Sequence, residues 1–233
     1  MSDAKVCVVV GVGPGLGGAS ALAFSNAGFA VASVARSEER VQRWAGKTGG
    51  KGYTADATDE SSIRRVLQRI ADEMGPIHTL VWNVGSGTFG NLDQVGPEAL
   101  DRGFQTNARS LFVAVQEVVG PMRDSGQGNI LITGATASRR GKPFTTAFAA
   151  GKAAQRSLAQ SLARQLWPQG IHVALVVVDG MVDIPSSRAR MPNAPTNAFI
   201  APAAYGDTLL FLAGQDRTAW TFELEVRPAI ENW

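Results

Sequence analysis

The sequence has few of the residues that cross-link small proteins or bind metal ions. Among 233 residues there is one cysteine, Cys7, and there are two histidines, His78 and His172. A single cysteine permits no internal disulfide, and the two histidines have no metal-ligand spacing. The sequence therefore predicts neither a disulfide framework nor a metal site, and each of these three residues is expected to fill a strand or a loop.

A strong excess of charge and long apolar runs are also missing. There are 22 Lys and Arg residues against 20 Asp and Glu, without a basic tract, which argues against a nucleic-acid surface. The longest apolar runs, such as 173–178, have the length of a strand and not of a membrane span. No apolar leader precedes the first predicted strand. We expect a cytoplasmic protein that binds neither nucleic acid nor membranes.

What the sequence does contain is an alternation of short β-branched runs with longer amphipathic stretches. That alternation is typical of a parallel sheet covered by helices on both faces. No internal repeat or Pro-rich linker marks a boundary, so residues 1–233 are predicted to form a single α/β domain of the doubly wound, Rossmann type, with about seven strands. The strands are predicted at 5–10, 29–35, 51–54, 77–82, 128–133, 171–178 and 219–226.

A glycine-rich turn follows the first predicted strand and precedes a helical stretch. In such a turn the backbone can approach a dinucleotide pyrophosphate, and the following helix directs unpaired N–H groups at the anion. The turn alone is a weak signal, because glycine-rich strand-to-helix turns also occur without a ligand. Two registers fit the pattern, namely Gly11, Gly15, Gly17 and Gly13, Gly15, Gly18.

Further motifs make the sequence resemble the short-chain dehydrogenase/reductase family. They keep the family's order and spacing from Val6 to about Val182. The matching positions are Gly11-x-x-x-Gly15-Leu16-Gly17, Asp56, Asn83-Val84-Gly85, Asn107 and Lys152.

The resemblance implies a nicotinamide dinucleotide cofactor and a place for each residue around it. Asp56 is expected beside the adenine, Asn83 and Gly85 along the adenosine, Lys152 at the nicotinamide ribose hydroxyls, and the backbone of Val182 at the carboxamide. Other interpretations stay open for single residues. Asp56 also fits a loop or helix-capping acid, Asn83 a turn former, and Lys152 a solvated helix lysine.

The end of the second predicted strand indicates which cofactor is preferred. An NAD enzyme places a carboxylate there to bind the ribose 2′-hydroxyl. This chain has Ala35 in that place, followed by Arg36 and Ser37. A guanidinium binds phosphate through two charge-assisted hydrogen bonds, and a serine can add a third. We therefore predict NADP(H); the alternative is that Arg36 and Ser37 merely begin the next helix.

The chain departs from the family where the substrate reacts. In most of the family a serine and a tyrosine donate hydrogen bonds to the substrate oxygen, and the resemblance puts Ala135 and Phe148 at those positions. A shift of one residue would bring Thr136 to the serine position. Lys152 and Asn107 remain, the latter expected to hold a water or the helix kink around it. Losing both donors is expected to slow ketone reduction by roughly 10⁴–10⁷.

Two kinds of side chain are candidates to replace the missing donors. Hydroxyl groups flank the vacated positions, and Thr136 is the first choice, followed by Ser138, Thr145 and Thr146. A carboxylate after the sixth predicted strand, Asp179 or Asp183, would lie near the nicotinamide, where it could pair with an iminium or deliver a proton if burial raised its pKa. The alternative for both carboxylates is a plain Asp-Gly turn and loop.

Residues 179–203 are predicted to be irregular, because four prolines interrupt any helix there. Such a segment is either a long surface loop or a lid over the substrate, and we favour the lid, since ligands bind beyond the carboxyl ends of parallel strands. The prolines are Pro185, Pro192, Pro195 and Pro202.

A long helix predicted from about 145 to 166 presents small residues beside the face that carries Lys152. A small-residue face suits close packing against the same helix of a second subunit, so a homodimer or homotetramer is expected. The face consists of Ala149, Ala153, Leu158, Ala159 and Leu162.

Taken together, these features predict an NADP(H)-dependent reductase that transfers hydride to a C=O or C=N group of a small, largely apolar substrate. The missing tyrosine favours a protonated imine, because its reduction forms no oxyanion, and Phe148 would provide an apolar wall. The alternative is a non-catalytic NADP(H)-binding protein, a sensor or partner subunit that kept the fold and lost the chemistry.

Overall fold

A computed structural model describes residues 4–85 and 87–231 of the chain. Seven strands form one parallel sheet in the order β3-β2-β1-β4-β5-β6-β9, and β7 pairs with β8 in a separate small sheet. The strands are β1 Val6–Val10, β2 Ala30–Ala35, β3 Lys51–Thr54, β4 Ile77–Trp82, β5 Gly128–Thr133, β6 Ile171–Val178, β7 Met181–Val182, β8 Phe199–Ile200 and β9 Glu223–Val226. The predicted seven-stranded α/β fold is confirmed.

Eight α-helices connect the strands in the described part of the chain. They are α1 Leu16–Asn26, α2 Glu38–Thr48, α3 Glu60–Met74, α4 Pro97–Phe104, α5 Ser110–Ser125, α6 Thr146–Leu166, α7 Pro185–Arg190 and α8 Pro202–Ala213. Helices α3, α5 and α6 pack on one face of the sheet, and α1, α2 and α8 pack on the other. The sheet is therefore doubly wound, as the alternation of apolar and amphipathic segments predicts.

Strand β1 shows why the central strands are apolar on both faces. Val6, Val8 and Val10 belong to one apolar cluster, whereas Cys7 and Val9 belong to the cluster on the opposite face. All five are at most 3% exposed. Burying a side chain of this size contributes about 1.5–3 kcal/mol, so β1 is a main source of the stability of both layers.

The order of the strands places a crevice at the carboxyl end of β1. The chain runs outward from β1 to β2 and β3 and then returns to place β4 on the other side of β1. Loops that leave β1 and β4 consequently diverge, and ligands bind in such a crevice in open α/β sheets.

Three predictions about secondary structure were wrong in detail. The last strand begins at 223 and not at 219, because residues 217–219 form a 3₁₀ turn whose amide at Thr218 donates to the Asp216 carboxylate. Within 179–203 the chain forms β7, α7 and β8. Pro185 and Pro202 begin helices, since a proline at the first helical position lacks only an N–H that would be unpaired anyway.

The predicted small-residue face of α6 is only partly available to a second subunit. Ala159 and Leu162 are buried in the chain's own core, while Ala153 is exposed. The reason is that α6 packs directly on the sheet, so part of the small-residue pattern serves close packing within the chain. A homodimer or homotetramer stays a prediction.

No helix among the described residues is both long and apolar enough to cross a membrane. The same residues contain no group of three His, Cys, Asp or Glu side chains placed to hold a metal ion. The cytoplasmic location remains a prediction.

Candidate cofactor cleft and active site

A continuous cleft follows the carboxyl ends of the central strands. It consists of a cavity of about 320 Å³ beside β2 and β3 and a wider one of about 710 Å³ beside β5, β6 and α6. Both cavities are lined by Asn83, Val84 and Gly85, which follow β4. One elongated ligand can therefore extend from the first cavity into the second.

The glycine-rich turn closes the floor of the cleft. Gly11 has a φ of 91°, and a Cβ there would lie 2.7 Å from the carbonyl oxygen of Asn83. The Asn83 side-chain amide donates to the Gly11 carbonyl over 2.9 Å, which ties the end of β4 to the turn. A Cβ on Gly17 would collide with that same carbonyl. These contacts require glycine at positions 11 and 17 for backbone packing alone.

The other glycines of the turn have different surroundings. A Cβ on Gly13 would meet no atom within 4 Å, whereas one on Gly18 would collide with the Trp44 ring. At Gly15 a Cβ would lie 3.0 Å from the side chain of Ile184, so this glycine leaves room for the segment after β6. Both glycine registers thus contain positions where this chain has no room for a side chain. Leu16, which begins α1, lines the wider cavity.

Two arginines line the smaller cavity. Arg36 follows β2, and Arg40 lies in the first turn of α2. Among the residues that the structure describes, neither guanidinium has an ion-pair partner. Sequence reasoning missed Arg40, although its position one helical turn after Arg36 was a usable signal.

Ser37 has a structural contact of its own. Its hydroxyl oxygen accepts a hydrogen bond from the Arg40 amide over 3.3 Å, which makes Ser37 the N-cap of α2. The observed contact of Ser37 is therefore the one expected if Ser37 begins the next helix, which was the alternative interpretation from the sequence.

Asp56 lies in the same cavity and stabilises the loop after β3. One carboxylate oxygen accepts from the amide and the hydroxyl of Thr58, over 2.9 and 2.8 Å. Capping of α3 falls to Asp59, whose carboxylate accepts from the amides of Ser61 and Ser62. Asp56 consequently combines the predicted place in the cleft with the turn role that was the alternative.

Lys152 reaches the junction of the two cavities from α6. Its ammonium donates to the Thr133 carbonyl and to the Gln155 side-chain oxygen, each over 3.0 Å. A Cβ on Gly85 would lie 3.2 Å from Nζ, so the ammonium faces the cleft. Burial lowers the Lys152 pKa from 10.5 to about 8. Gln155, one turn along the same helical face, is a positioning residue to which sequence reasoning gave no role.

Asn107 lies in a π-helical turn, residues 105–109, between α4 and α5. Its side-chain amide donates to the Gly103 carbonyl over 2.8 Å, and the side chain is fully buried. A Cβ on Gly151 would come within 2.6 Å of the Gly103 carbonyl oxygen, which shows how closely α6 approaches this turn. Single π turns are frequent at functional sites, and this one holds Asn107 next to the helix of Lys152.

Phe148 forms part of the wall of the wider cavity, one helical turn before Lys152. Its ring lies 5.1 Å from the Phe89 ring, measured between centroids. The apolar side chains around this cavity include Phe89, Phe144, Phe148, Met181, Val182 and Ile184.

No tyrosine takes the place of a phenol donor here. The chain has two tyrosines, Tyr53 and Tyr205, and neither is among the described residues that line the cleft. Tyr53 pairs with Glu73, and Tyr205 is buried against the Thr133 hydroxyl, where burial raises its pKa.

The four flanking hydroxyls are already engaged as donors. Each contacts an acceptor of the chain itself, and a hydroxyl has only one hydrogen to donate. The acceptors are Asp179 and the Val178 carbonyl for Thr136, Ala135 for Ser138, Lys142 for Thr145 and Pro143 for Thr146.

Asp179 follows β6 and is 6% exposed. One of its oxygens accepts from the Thr136 hydroxyl over 2.5 Å; the other accepts from Arg140 over 3.3 Å and from Arg227. Asp183 instead forms a bidentate pair with Arg188, over 2.7 and 2.8 Å. Sequence reasoning missed Arg227, because its partner Asp179 lies far away in the chain.

Residues 180–184 connect β6 to the predicted lid. Gly180, Met181, Val182 and Ile184 line the wider cavity, and the pairing of Val182 with Ile200 fixes its backbone. Only the beginning of the segment 179–203 contributes to the cavity among the described residues, and closure of a lid stays a prediction.

A family model for short chain dehydrogenases matches residues 5–193. The chain belongs to the short-chain dehydrogenase family. The 3-oxoacyl-(acyl-carrier-protein) reductase FabG of Escherichia coli K12 is 31% identical over 189 residues, which are 80% of this chain and 77% of that protein.

Two solved structures show the same fold. A short-chain dehydrogenase from Rhodopseudomonas palustris has a TM-score of 0.82 and 31% identity, covering 98% of this chain and all of that one. An NADPH-bound short-chain oxidoreductase from Pseudomonas aeruginosa PAO1, described as containing an atypical catalytic center, has a TM-score of 0.88 and 21% identity, covering 98% and 97%. Membership in the short-chain dehydrogenase family confirms an oxidoreductase fold with a cleft for a nicotinamide cofactor.

Proposed function

We propose that the protein is an NADP(H)-dependent reductase that transfers hydride to a small, largely apolar substrate, with a protonated C=N group favoured over C=O. One observation carries the proposal. Lys152 reaches the cleft and Asn107 is buried beside the helix that carries it, but Phe148 lies one turn before Lys152 in the wall of the cleft, and every flanking hydroxyl already donates within the chain.

The residues present fit a nicotinamide dinucleotide phosphate. The glycine turn allows the pyrophosphate to approach the backbone at the start of α1, where unpaired amides and the helix dipole favour an anion. Arg36 and Arg40 offer two guanidinium groups for a 2′-phosphate, and no carboxylate stands at Ala35 to repel it. The NADPH-bound P. aeruginosa protein shares the fold, which supports the same placement here.

When bound, the reduced nicotinamide supplies a hydride. The Lys152 ammonium has three hydrogens and donates two of them to Thr133 and Gln155. In the proposed roles, its third hydrogen binds the ribose hydroxyls, and the Val182 backbone binds the carboxamide. Phe148 excludes water from the face where the hydride arrives. These contacts position the reacting atoms without a proton donor, and positioning by itself lowers the barrier.

A protonated imine suits such a site, because it brings its own proton. Hydride adds to the iminium carbon, the two π electrons of the C=N bond become the nitrogen lone pair, and a neutral amine forms while NADPH becomes NADP⁺. A ketone would need a proton on the nascent alkoxide. A positioned general acid is worth about 10²–10⁴ in rate, so its absence separates the two substrate classes.

The second candidate is a non-catalytic NADP(H)-binding protein. It is favoured by the same loss of donors and needs the same cofactor contacts, so the cleft alone does not separate the two. Turnover separates them.

The test follows NADPH absorbance with cyclic imines and the ketones of the same carbon skeleton, with NADH as the cofactor control. We expect imine turnover with NADPH and ketone turnover at least 100-fold slower, as loss of a general acid implies. Equal turnover of ketones would contradict the assignment to C=N groups. Tight NADPH binding without turnover of any substrate would support the non-catalytic alternative.

A further inference from the structure

The contacts around Thr136 form a chain that ends in two arginines. The Thr136 hydroxyl oxygen lies 2.5 Å from one oxygen of Asp179 and 3.3 Å from the Val178 carbonyl. The second Asp179 oxygen contacts Arg227 and Arg140. Thr136, Asp179 and Arg140 all line the wider cavity, whose wall also includes Phe148.

The direction of the hydrogen bond between Thr136 and Asp179 follows from the arginines. A guanidinium only donates, so a carboxylate between two of them is held as an acceptor-only anion. The Val178 carbonyl accepts as well. Thr136 must therefore be the donor, and its single hydroxyl hydrogen is directed to Asp179, the nearer of the two acceptors.

Surrounding contacts hold this arrangement in place. The Arg227 side chain is only 13% exposed and also pairs with Glu225 over 2.6 Å. The Asp179 amide donates to the Val226 carbonyl over 2.9 Å, which joins the end of β6 to β9. Reversing the Thr136 hydroxyl would leave a buried carboxylate oxygen without its donor, and a buried unsatisfied acceptor is costly.

With its hydrogen engaged, Thr136 presents only lone pairs to the cavity. We propose that Thr136 is a specificity-determining residue that accepts a hydrogen bond from the N–H of a protonated imine or its amine product and so selects nitrogen over oxygen substrates. The proposal deepens the proposed function and rests on it. A ketone oxygen, which only accepts, would face the lone pairs of Thr136.

The selection arises from hydrogen-bond polarity and not from a negative field. Arg140 and Arg227 balance the two carboxylates of Asp179 and Glu225, so the cluster at Thr136 offers no net negative charge to attract any cation. A cation that cannot donate a hydrogen bond should gain nothing from it. That distinction provides a control ligand.

The experiment measures binding to the protein saturated with NADP⁺, so that it does not depend on turnover. The probes are 1-phenylethylamine, 1-phenylethanol and the N,N,N-trimethyl derivative of the amine, each titrated calorimetrically at neutral pH. The variants are Thr136→Val, which removes the acceptor at nearly constant volume, and Thr136→Ser, which keeps it.

We expect the wild type to bind the primary ammonium at least 10-fold more tightly than the alcohol and than the trimethylammonium ion, since hydrogen bonds to charged groups are worth about 1.5–3 kcal/mol. Thr136→Val should abolish that preference and Thr136→Ser should retain it. Three results would each overturn the proposal. Thr136→Val could weaken the binding of amine and alcohol equally, Thr136→Val could keep the preference for the amine, or the wild type could fail to bind the amine.

A second variant checks the direction of the hydrogen bond. Asp179→Asn introduces an amide that can donate to Thr136 and release its hydrogen toward the cavity. The affinity for the alcohol should then rise relative to the affinity for the amine. If Asp179→Asn does not fold, the two variants Thr136→Val and Thr136→Ser test the proposal without it. Because these are binding ratios, they distinguish failure of this inference from failure of the reductase proposal, which appears as bound NADPH without turnover.

Discussion

The two halves of the cleft differ in what shapes them. In the half that contains the smaller cavity, called the adenosine half after the group it is proposed to hold, backbone atoms set the geometry, since Gly11 and Gly17 have no room for a side chain and Asn83 is tied to the turn. In the half that contains the wider cavity, called the nicotinamide half for the same reason, side chains set the geometry through the contacts of Thr136, Asp179 and Arg227. The backbone of the first half can hold a cofactor whatever the reaction is, whereas the proposed selection of the substrate rests on side chains of the second half.

The proposed loss of a proton donor at Phe148 would leave the fold intact. A phenylalanine at 148 packs against Phe89 and leaves Lys152 on its two acceptors, Thr133 and Gln155. No contact described in the adenosine half involves the side chain at position 148.

Phe148→Tyr should change the reaction more than any other single substitution in the cleft. A phenol one helical turn before the buried Lys152 ammonium would supply the missing acid, and ketone reduction should rise by about 10²–10⁴, the usual contribution of a positioned general acid. The measurement is kcat/KM for matched ketones and imines. Phe148→Leu is the control, because it changes the wall without adding a proton. An unchanged ketone rate, with NADPH still bound, would mean that Phe148 does not occupy the donor position.

The buried Lys152 should make stability depend on pH. Its pKa is lowered from 10.5 to about 8 in the folded chain. Between these values the unfolded chain binds more protons, so the free energy of unfolding rises with pH across that window and levels off above it. One pKa unit corresponds to about 1.4 kcal/mol, which gives a rise of about 3 kcal/mol.

Denaturant unfolding without cofactor, at pH 7 and 10.5, measures this rise in comparison with Lys152→Met. Other titrating groups are common to both proteins and cancel in the difference. Lys152→Arg stays charged throughout and should also lack the rise. Parallel pH curves for wild type and Lys152→Met would show that the ammonium is not buried as described.

Replacing the arginines should affect the adenosine half alone. Arg36→Ala together with Arg40→Ala removes two guanidinium groups from the smaller cavity and should weaken NADPH binding by roughly 10–100-fold, given about 1.5–3 kcal/mol for a charged hydrogen bond. NADH binding should hardly change. Arg43→Ala is the matched control, because Arg43 lies on α2 and pairs with Glu39 in solvent. An equal loss of NADH affinity would argue against a 2′-phosphate site.

Sequence reasoning predicted the fold correctly for one physical reason. Strand alternation and glycine spacing are local patterns, and the contacts they produce are largely those of the backbone. The Asp179 network is not local, since Arg227 meets Asp179 only because β9 pairs with β6. The direction of the Thr136 hydroxyl depends on that pairing. The prediction that residues 179–203 are irregular was wrong for another reason, because prolines can begin helices as well as end them.

Ser37 gives the smallest effect and the finest separation of the two interpretations made from sequence. As the N-cap of α2, its replacement by alanine should lower the free energy of unfolding by about 0.5–2 kcal/mol and leave the NADPH to NADH affinity ratio unchanged. Ser37→Asp keeps an N-cap acceptor but adds a carboxylate next to Arg36. It should preserve stability and weaken NADPH selectively. A loss of NADPH preference in Ser37→Ala at unchanged stability would instead make the serine a phosphate contact, because a cap affects the helix and not the ligand.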